Sequence, residues 1–347
     1  MELGISMFAD LRPGEAGGKR QPAQERLAEL IREIRLADEL GLDVFGIGEH
    51  HREDYAVSTP EIILAAAATV TKNIKLSSAV TVLSSADPVK VFQDFATIDL
   101  LSNGRAEITA GRGSFIESFP LFGYDLQDYS ALFEEKLNLL LKINAEASVT
   151  WSGRFRPALK DQQIFPRPVN PQLPIWVAVG GTPESVQRAV HLGLPMVIAI
   201  LGGDPRQFSN FYNYYKEEYV RQGHDPAKMQ LGLHSHAFVG EDDKATADSH
   251  FRYYAAQMKR IGRERGWLDY KRDQYDANRS KNGALFVGDP SAVVDKVLYV
   301  QELFGLTRFV AHMDVGGPPH KDLMRSIELF GTKVAPEIRK ALKKNNA

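Results

Sequence analysis

Residues 74–101 read IKLSSAVTVLSSADPVKVFQDFATIDLL, and this stretch sets the architecture. Its first part, Ile74–Leu83, is a short apolar run with β-branched residues, of the kind that fills a buried strand. Asp87-Pro88 then marks a helix start. An aspartate oxygen accepts the free N–H groups of a first turn, and a proline at the first helical position has no N–H to lose and a φ already suited to the helix. Val91, Phe95, Ile98 and Leu101 follow at helical spacing. Strand, capped turn and helix make one crossover unit.

The unit recurs in both directions along the chain. Thr59-Pro60-Glu61, Thr182-Pro183-Glu184, Asp204-Pro205 and Asp289-Pro290-Ser291 repeat the oxygen-then-proline start, most of them a few residues after an apolar run. Those runs are Leu3–Phe8, Val44–Gly48, Ile74–Leu83, Ala106–Ala110, Ile175–Val179, Met196–Leu201, Leu231–Val239 and Arg308–His312. After the first run, Leu27, Leu30, Ile31 and Ile34 lie on one helical face, and Gly41 ends that helix. Alternating strands and helices imply a parallel sheet covered by helices. Eight units predict an α/β fold: a closed (β/α)8 TIM barrel with loop and helix insertions, one domain over residues 1–347. A doubly wound open sheet satisfies the same pattern. Arg154–Pro171 and the polar Lys271–Gly283 have little periodicity and read as insertions. The segment 266–287 reads either as a lid or as a passive surface loop.

The 347 residues are 44% hydrophobic and 25% charged with a net charge of −2, which suits a large core and gives no basic stripe for nucleic acid. Cysteine is absent, so disulfides, a thiol nucleophile, thiolate zinc and iron–sulfur clusters are excluded. The sequence shows no secretory leader and no apolar run of the ~18 or more residues that a membrane span needs. A cytoplasmic protein acting on a neutral small molecule is the expectation.

Sites in parallel α/β folds gather at strand C-termini. Glu49-His50-His51 ends the second run, where a histidine can act as acid, base or ligand. His234 and His236 share a face of the seventh run and His312 ends the eighth, so a metal-dependent hydrolase using His50, His51, His234 and His236 is one reading; structural histidines are the other. Gly111-Arg112-Gly113-Ser114 follows the fourth run. Its glycines admit close backbone approach and its arginine suits an anion, most simply a phosphate. Gly180-Gly181-Thr182-Pro183-Glu184-Ser185 follows the fifth and leads into a helix N-terminus, where free N–H groups and the dipole favour an anion. Thr182 is either a cap or a ligand donor. Arg112 and this turn on the neighbouring unit together favour a phosphate between them. No GxxxxGK(S/T) or strand-linked GxGxxG is present.

Three ordered segments resemble the bacterial luciferase-like flavin monooxygenase family: Gly46-Ile47-Gly48-Glu49-His50-His51; Leu100-Leu101-Ser102-Asn103-Gly104-Arg105 leading to Gly111-Arg112-Gly113; and Ile175 through Ser185 with Gly193-Leu194-Pro195-Met196 beyond. Ser326–Pro336 is similar as well. The resemblance implies a (β/α)8 barrel, an FMN site at the strand C-termini and usually a homodimer, through helices near Thr59–Val70 and Pro88–Leu101. It assigns His50 as the active-site histidine. It places Arg112, Thr182 and Ser185 on the FMN phosphate, with Gly113, Gly180 and Gly181 around them. It also implies a non-prolyl cis bond after the third strand, expected within Leu83-Ser84-Ser85-Ala86, with Ser84 and Ser85 near the flavin ring. Gly111 departs from the cysteine of the luciferase α chain, which argues against light emission.

The function implied is a flavin-dependent monooxygenase: reduced FMN, supplied by a separate flavin reductase, and dioxygen oxygenate a small organic substrate. An F420-dependent reductase or dehydrogenase on the same barrel is the nearest alternative, and a flavin-binding protein without turnover the next. No metal is required.

Overall fold

The apolar runs become strands because both of their faces are covered, one by the barrel interior and one by helices. In the computed structural model, which describes residues 1–14, 18–113 and 115–345, eight of them close into a ring. They are β1 (Glu2–Met7), β2 (Val44–Ile47), β3 (Lys75–Ser78), β4 (Ala106–Gly111), β5 (Ile175–Val179), β6 (Met196–Ala199), β7 (Leu231–Val239) and β8 (Arg308–His312). Each pairs in parallel with the next, for example Gly4 with Val44, Ile108 with Ile175 and Gly232 with Arg308. The ring closes where β8 runs parallel to β1, with Leu3 opposite Phe309 and Ser6 opposite His312. The closed (β/α)8 barrel is thus the correct choice over the open sheet. Among the described residues no helix is long and apolar enough to cross a membrane.

The aspartate helix starts work as the sequence implies. Asp87 accepts from the N–H groups of Val89 (2.9 Å) and Lys90 (3.3 Å), and Asp289 accepts from that of Ala292 (2.9 Å). The threonine starts do not. Thr59, with ψ at 76°, and Thr182 carry proline at the helix start yet make no side-chain cap bond. Removing the cap at Asp87 in an Asp87→Ala variant is expected to lower stability by about 1 kcal/mol, read from the urea midpoint.

Three elements differ from the sequence reading. The third run is not one strand over Ile74–Leu83: β3 stops at Ser78, and a two-residue strand, Thr81–Val82, pairs separately with Ala110 and Gly111 of β4. Ser78 explains the break. Its hydroxyl accepts from the Thr109 N–H (3.0 Å) and donates to the Thr109 carbonyl (3.3 Å), standing where a ladder partner would be. The stretch read as irregular over Arg154–Pro171 holds part of an antiparallel hairpin outside the barrel, Ser148–Trp151 with Leu159–Gln163. The polar excursion contains a helix, Arg272–Arg279, followed by a short strand, Phe286–Gly288, parallel to the end of β7.

The N-terminal mouth of the barrel is closed by charge. Buried Arg308 donates to both carboxylate oxygens of buried Glu107 on β4 (2.7 and 3.2 Å) and to Glu2 on β1 (2.6 Å), and it stacks over the Trp176 ring at 4.2 Å. Lys75 on β3 completes the network through Glu2 (2.6 Å) and Glu107 (3.3 Å). Five strands meet in this plug, four of them through charged side chains, leaving the opposite mouth for function.

Candidate active site

At the C-terminal end of β2, neighbouring side chains take opposite directions. The Glu49 carboxylate accepts from the Val82 N–H (2.8 Å) and contacts the His51 ring nitrogen (2.9 Å). Glu49 and His51 therefore fasten the turn after β2 to the segment after β3. His50 turns the other way, into an aromatic cage of Phe8, Tyr55 and Phe115 with ring centroids at 4.6, 4.3 and 5.0 Å. Its Nδ1 lies 3.7 Å from Glu117 Oε1, an electrostatic contact longer than a hydrogen bond. Burial by itself would raise the Glu117 carboxyl, but the His50 contact leads the influences that hold it below its ordinary value. The other imidazole nitrogen, Nε2, is buried and has no partner among the described residues.

The anion elements also meet. A Cβ built on Gly180 would stand 3.8 Å from Arg112 Nη2, so the guanidinium lies against the turn after β5. Arg112 is held by the Ser130 hydroxyl (3.3 Å) and by the Tyr129 ring at 5.0 Å, and no carboxylate pairs with it among the described residues. Tyr129 in turn donates to the Gly113 carbonyl (2.6 Å), and Gly113 needs its glycine for a φ of +79°. A Cβ at Gly111 would strike Val80 at 2.5 Å, which explains why no larger residue stands there. In the turn, Ser185 donates to the Thr182 carbonyl (2.7 Å) while Thr182 donates only weakly to Ser185 Oγ (3.2 Å). The exposed Thr182 hydroxyl is the freer donor of the two. Ser114 lies outside the described residues.

Corrections apply after β3. The non-prolyl cis bond is Ala79–Val80, four residues before the stretch expected to carry it. The residues of this connection that line the cavity are Ala79, Val80 and Val82, not Ser84 and Ser85. Ser84 is fully buried with its carbonyl bound by Lys136 (2.7 Å), and the Ser85 hydroxyl donates to the Val82 carbonyl (3.2 Å). The histidines also fail to converge on a metal. His51 is occupied by Glu49, while His234 and His236 belong to the cavity floor. Among the described residues, the three groups whose ligand atoms lie within 4.8 Å of one another are Glu29, Glu33 and His320, beside the Arg26 guanidinium.

Two cavities of about 390 Å³ each open at this end. The first contains Arg112, Gly180, His50 and the Ala79–Val80 bond. Burial pushes its floor histidines down, His234 to about 3 and His236 and His312 below their ordinary value, so this floor is neutral at pH 7. The second cavity is roofed by Trp267, Leu268 and Tyr270 from the excursion and walled by Tyr55, Phe115 and Tyr254. Phe8, Leu201, His236 and His312 line both. The sequence reading missed Phe8, Tyr55, Tyr129 and the second cavity. The strand-end rule, applied to β1 as it was to β2, finds Phe8.

Family comparison decides what this arrangement is. The luciferase-like monooxygenase model matches residues 1–307. The chain belongs to the luciferase-like monooxygenase family. This luciferase-like monooxygenase is 22% identical over 325 residues to the alkanal monooxygenase alpha chain of Aliivibrio fischeri, covering 86% of this chain and 90% of that one. The oxygenating constituent of 3,6-diketocamphane monooxygenase from Pseudomonas putida, a type II Baeyer–Villiger monooxygenase in complex with FMN, superposes with a TM-score of 0.76 at 21% identity, covering 97% and 98% of the two chains. An F420-dependent secondary alcohol dehydrogenase in complex with an F420–acetone adduct superposes at 0.75 with 17% identity, covering 97% and 99%. The structural likenesses establish the fold. The family makes this luciferase-like monooxygenase an oxidoreductase that incorporates oxygen.

Proposed function

We propose that the chain is a flavin-dependent monooxygenase that binds reduced FMN in the first cavity and oxygenates an apolar molecule in the second. One observation carries the cofactor assignment: a guanidinium without a carboxylate partner among the described residues faces a glycine turn and a helix start at the rim of a cavity with a neutral floor. Such a rim suits a phosphate, and such a floor suits an uncharged ring system. The residues present fit FMN. Arg112, the Gly180–Gly181 backbone, Thr182 and Ser185 hold its phosphate, Gly113 allows close approach, and Val80 and Val82 support its ring.

Bound reduced FMN supplies the electrons and the reactivity toward dioxygen. The protein supplies the rest. The aromatic cage excludes water from His50, and Nε2 of His50 holds or takes a proton beside the reacting atoms. The excursion over 266–287 acts as a lid whose Trp267 and Leu268, 55% and 91% exposed, cover the second cavity. A separate flavin reductase delivers FMN. Ile62, Leu100 and Leu101 on the two helices expected to pair in a homodimer, and Val70 just after the first of them, are exposed apolar residues, and sedimentation at increasing protein concentration checks the pairing.

The test is FMN titration followed by a single turnover. Arg112→Ala is expected to weaken FMN binding by about 10- to 100-fold, the loss of a charge-assisted contact, with little change in melting temperature. FMN-loaded protein, reduced and mixed with isotopically labelled dioxygen and an apolar substrate, is expected to transfer one labelled oxygen to it. Tighter binding of F420 than of FMN, or no label in product, overturns the proposal.

A further inference from the structure

We propose that Asp10 is the polar anchor of the second cavity, donating a hydrogen bond from Oδ1 to an acceptor oxygen on an otherwise apolar, uncharged ligand. The inference rests on reading the second cavity as the substrate site. Its walls are mostly rings and aliphatic chains, among them Tyr55, Phe115, Tyr254, Met258, Ile261 and Trp267, so an anion or a strongly hydrated molecule would lose its water there with little return. Gln257, Asn278 and Arg265 also line it, but they are engaged by the Tyr55 hydroxyl (2.9 Å), the Tyr270 hydroxyl (2.8 Å) and the Phe115 and Trp267 rings (5.0 and 5.3 Å). Asp10 differs from them. It lines the cavity, is 3% exposed, and follows β1 by three residues.

The residue is fixed on three sides. Its backbone forms a β-bridge with that of Tyr55, its backbone N–H donates to Asp314 (3.2 Å), and its carboxyl Oδ2 accepts from the Gly316 N–H (2.8 Å). Oδ1 is buried and has no partner among the described residues. An orphaned buried oxygen is costly unless a ligand satisfies it. Burial, reinforced by the neighbouring Asp314 carboxylate, raises Asp10 well above its ordinary value, and the Gly316 N–H, Arg260 and Arg26 only partly oppose this. Tyr55, which also faces Asp10, is raised too and adds no cation. The favoured form is therefore the neutral acid. With Oδ2 occupied as an acceptor, the proton belongs on Oδ1, which makes that atom a donor. Nε2 of His50 and Oδ1 of Asp10, both without a partner among the described residues, then serve the active site, with Phe8 lining both cavities.

The test compares 1-tetralone with tetralin, two bicyclic probes of nearly equal size that differ by one carbonyl. Equilibrium dialysis with FMN-loaded protein reads the affinities, and the infrared carbonyl band of bound tetralone reads the hydrogen bond. Wild type is expected to favour tetralone by about 10-fold, with the carbonyl band shifted to lower frequency. Asp10→Asn keeps an N–H donor at this place while its oxygen serves Gly316, and it is expected to retain most of the preference. Asp10→Ala is expected to bring the ratio near one while still binding tetralin. Equal affinities in wild type, an unshifted carbonyl band, or an undiminished preference in Asp10→Ala overturns the proposal. If Asp10→Ala does not fold, the band and the Asn variant decide. FMN affinity, measured on the same samples, fails or stands separately and reports on the cofactor assignment alone.

Discussion

His50→Ala is expected to lower single-turnover oxygenation by roughly 100- to 1000-fold while leaving FMN affinity within about threefold, because a positioned acid or base contributes on that scale and His50 is not among the proposed phosphate contacts. The expectation follows from where the imidazole stands. Phe8, Tyr55 and Phe115 keep its surroundings dry, and Glu117 faces its Nδ1. Nε2 has no partner among the described residues and is the nitrogen proposed to serve the reaction. Glu117→Gln should lower the rate less, since it acts through His50. The measurement is rapid mixing of FMN-loaded, reduced protein with dioxygen, with product quantified. An unchanged rate in His50→Ala would remove His50 from the reaction, and no product from either protein would favour flavin binding without turnover.

The second large effect is on stability. Arg26→Met is expected to cost about 3–5 kcal/mol, the penalty for stripping buried carboxylates of their counter-ion. Arg26 leaves the helix Ala23–Glu39 and donates to both oxygens of Glu33 (3.0 and 2.9 Å) and to Asp314 (3.2 Å); all three side chains are almost fully buried. Asp314 then receives the N–H groups of Phe8 (3.1 Å) and Asp10 (3.2 Å). The same guanidinium thus supports the loop that carries a cage ring and the proposed anchor. Urea denaturation followed by circular dichroism checks the loss. A change below 1 kcal/mol would show that water reaches these acids.

Legibility from sequence followed the range of each interaction. The strands of β1, β2 and β4 to β8 were readable because burial on both faces forces apolar runs, and the aspartate helix starts because a cap acts within three residues. The division of the third run was not, since it depends on Ser78 binding Thr109 on another strand. Arg112 and the 180–185 turn were found from local chemistry, and adjacent barrel units bring them together. Ser84 and Ser85 were misplaced because the connection after β3 presents Ala79, Val80 and Val82 to the cavity instead. The split between His50 and His51 was likewise hidden, because Glu49 selects between them through Val82. Asp10 looks like an ordinary loop acid until Asp314, 304 residues away, is placed beside it. The aromatic lining from residues 266–270 was unreadable for a similar reason: nothing local gave a sign that Trp267 and Tyr270 line a cavity.

The charge plug has a consequence for biosynthesis. Arg308 sits on the last of the eight barrel strands, whereas Glu107 is made about two hundred residues earlier. A nascent chain that has emerged only through β7 holds two unzipped ladder edges, and Glu107 has Lys75 as its cationic neighbour but not yet its guanidinium partner. Translation of the eighth strand then sews both edges and neutralises the acid in one event, so the first barrel strand and the buried acid of the fourth are completed by the eighth.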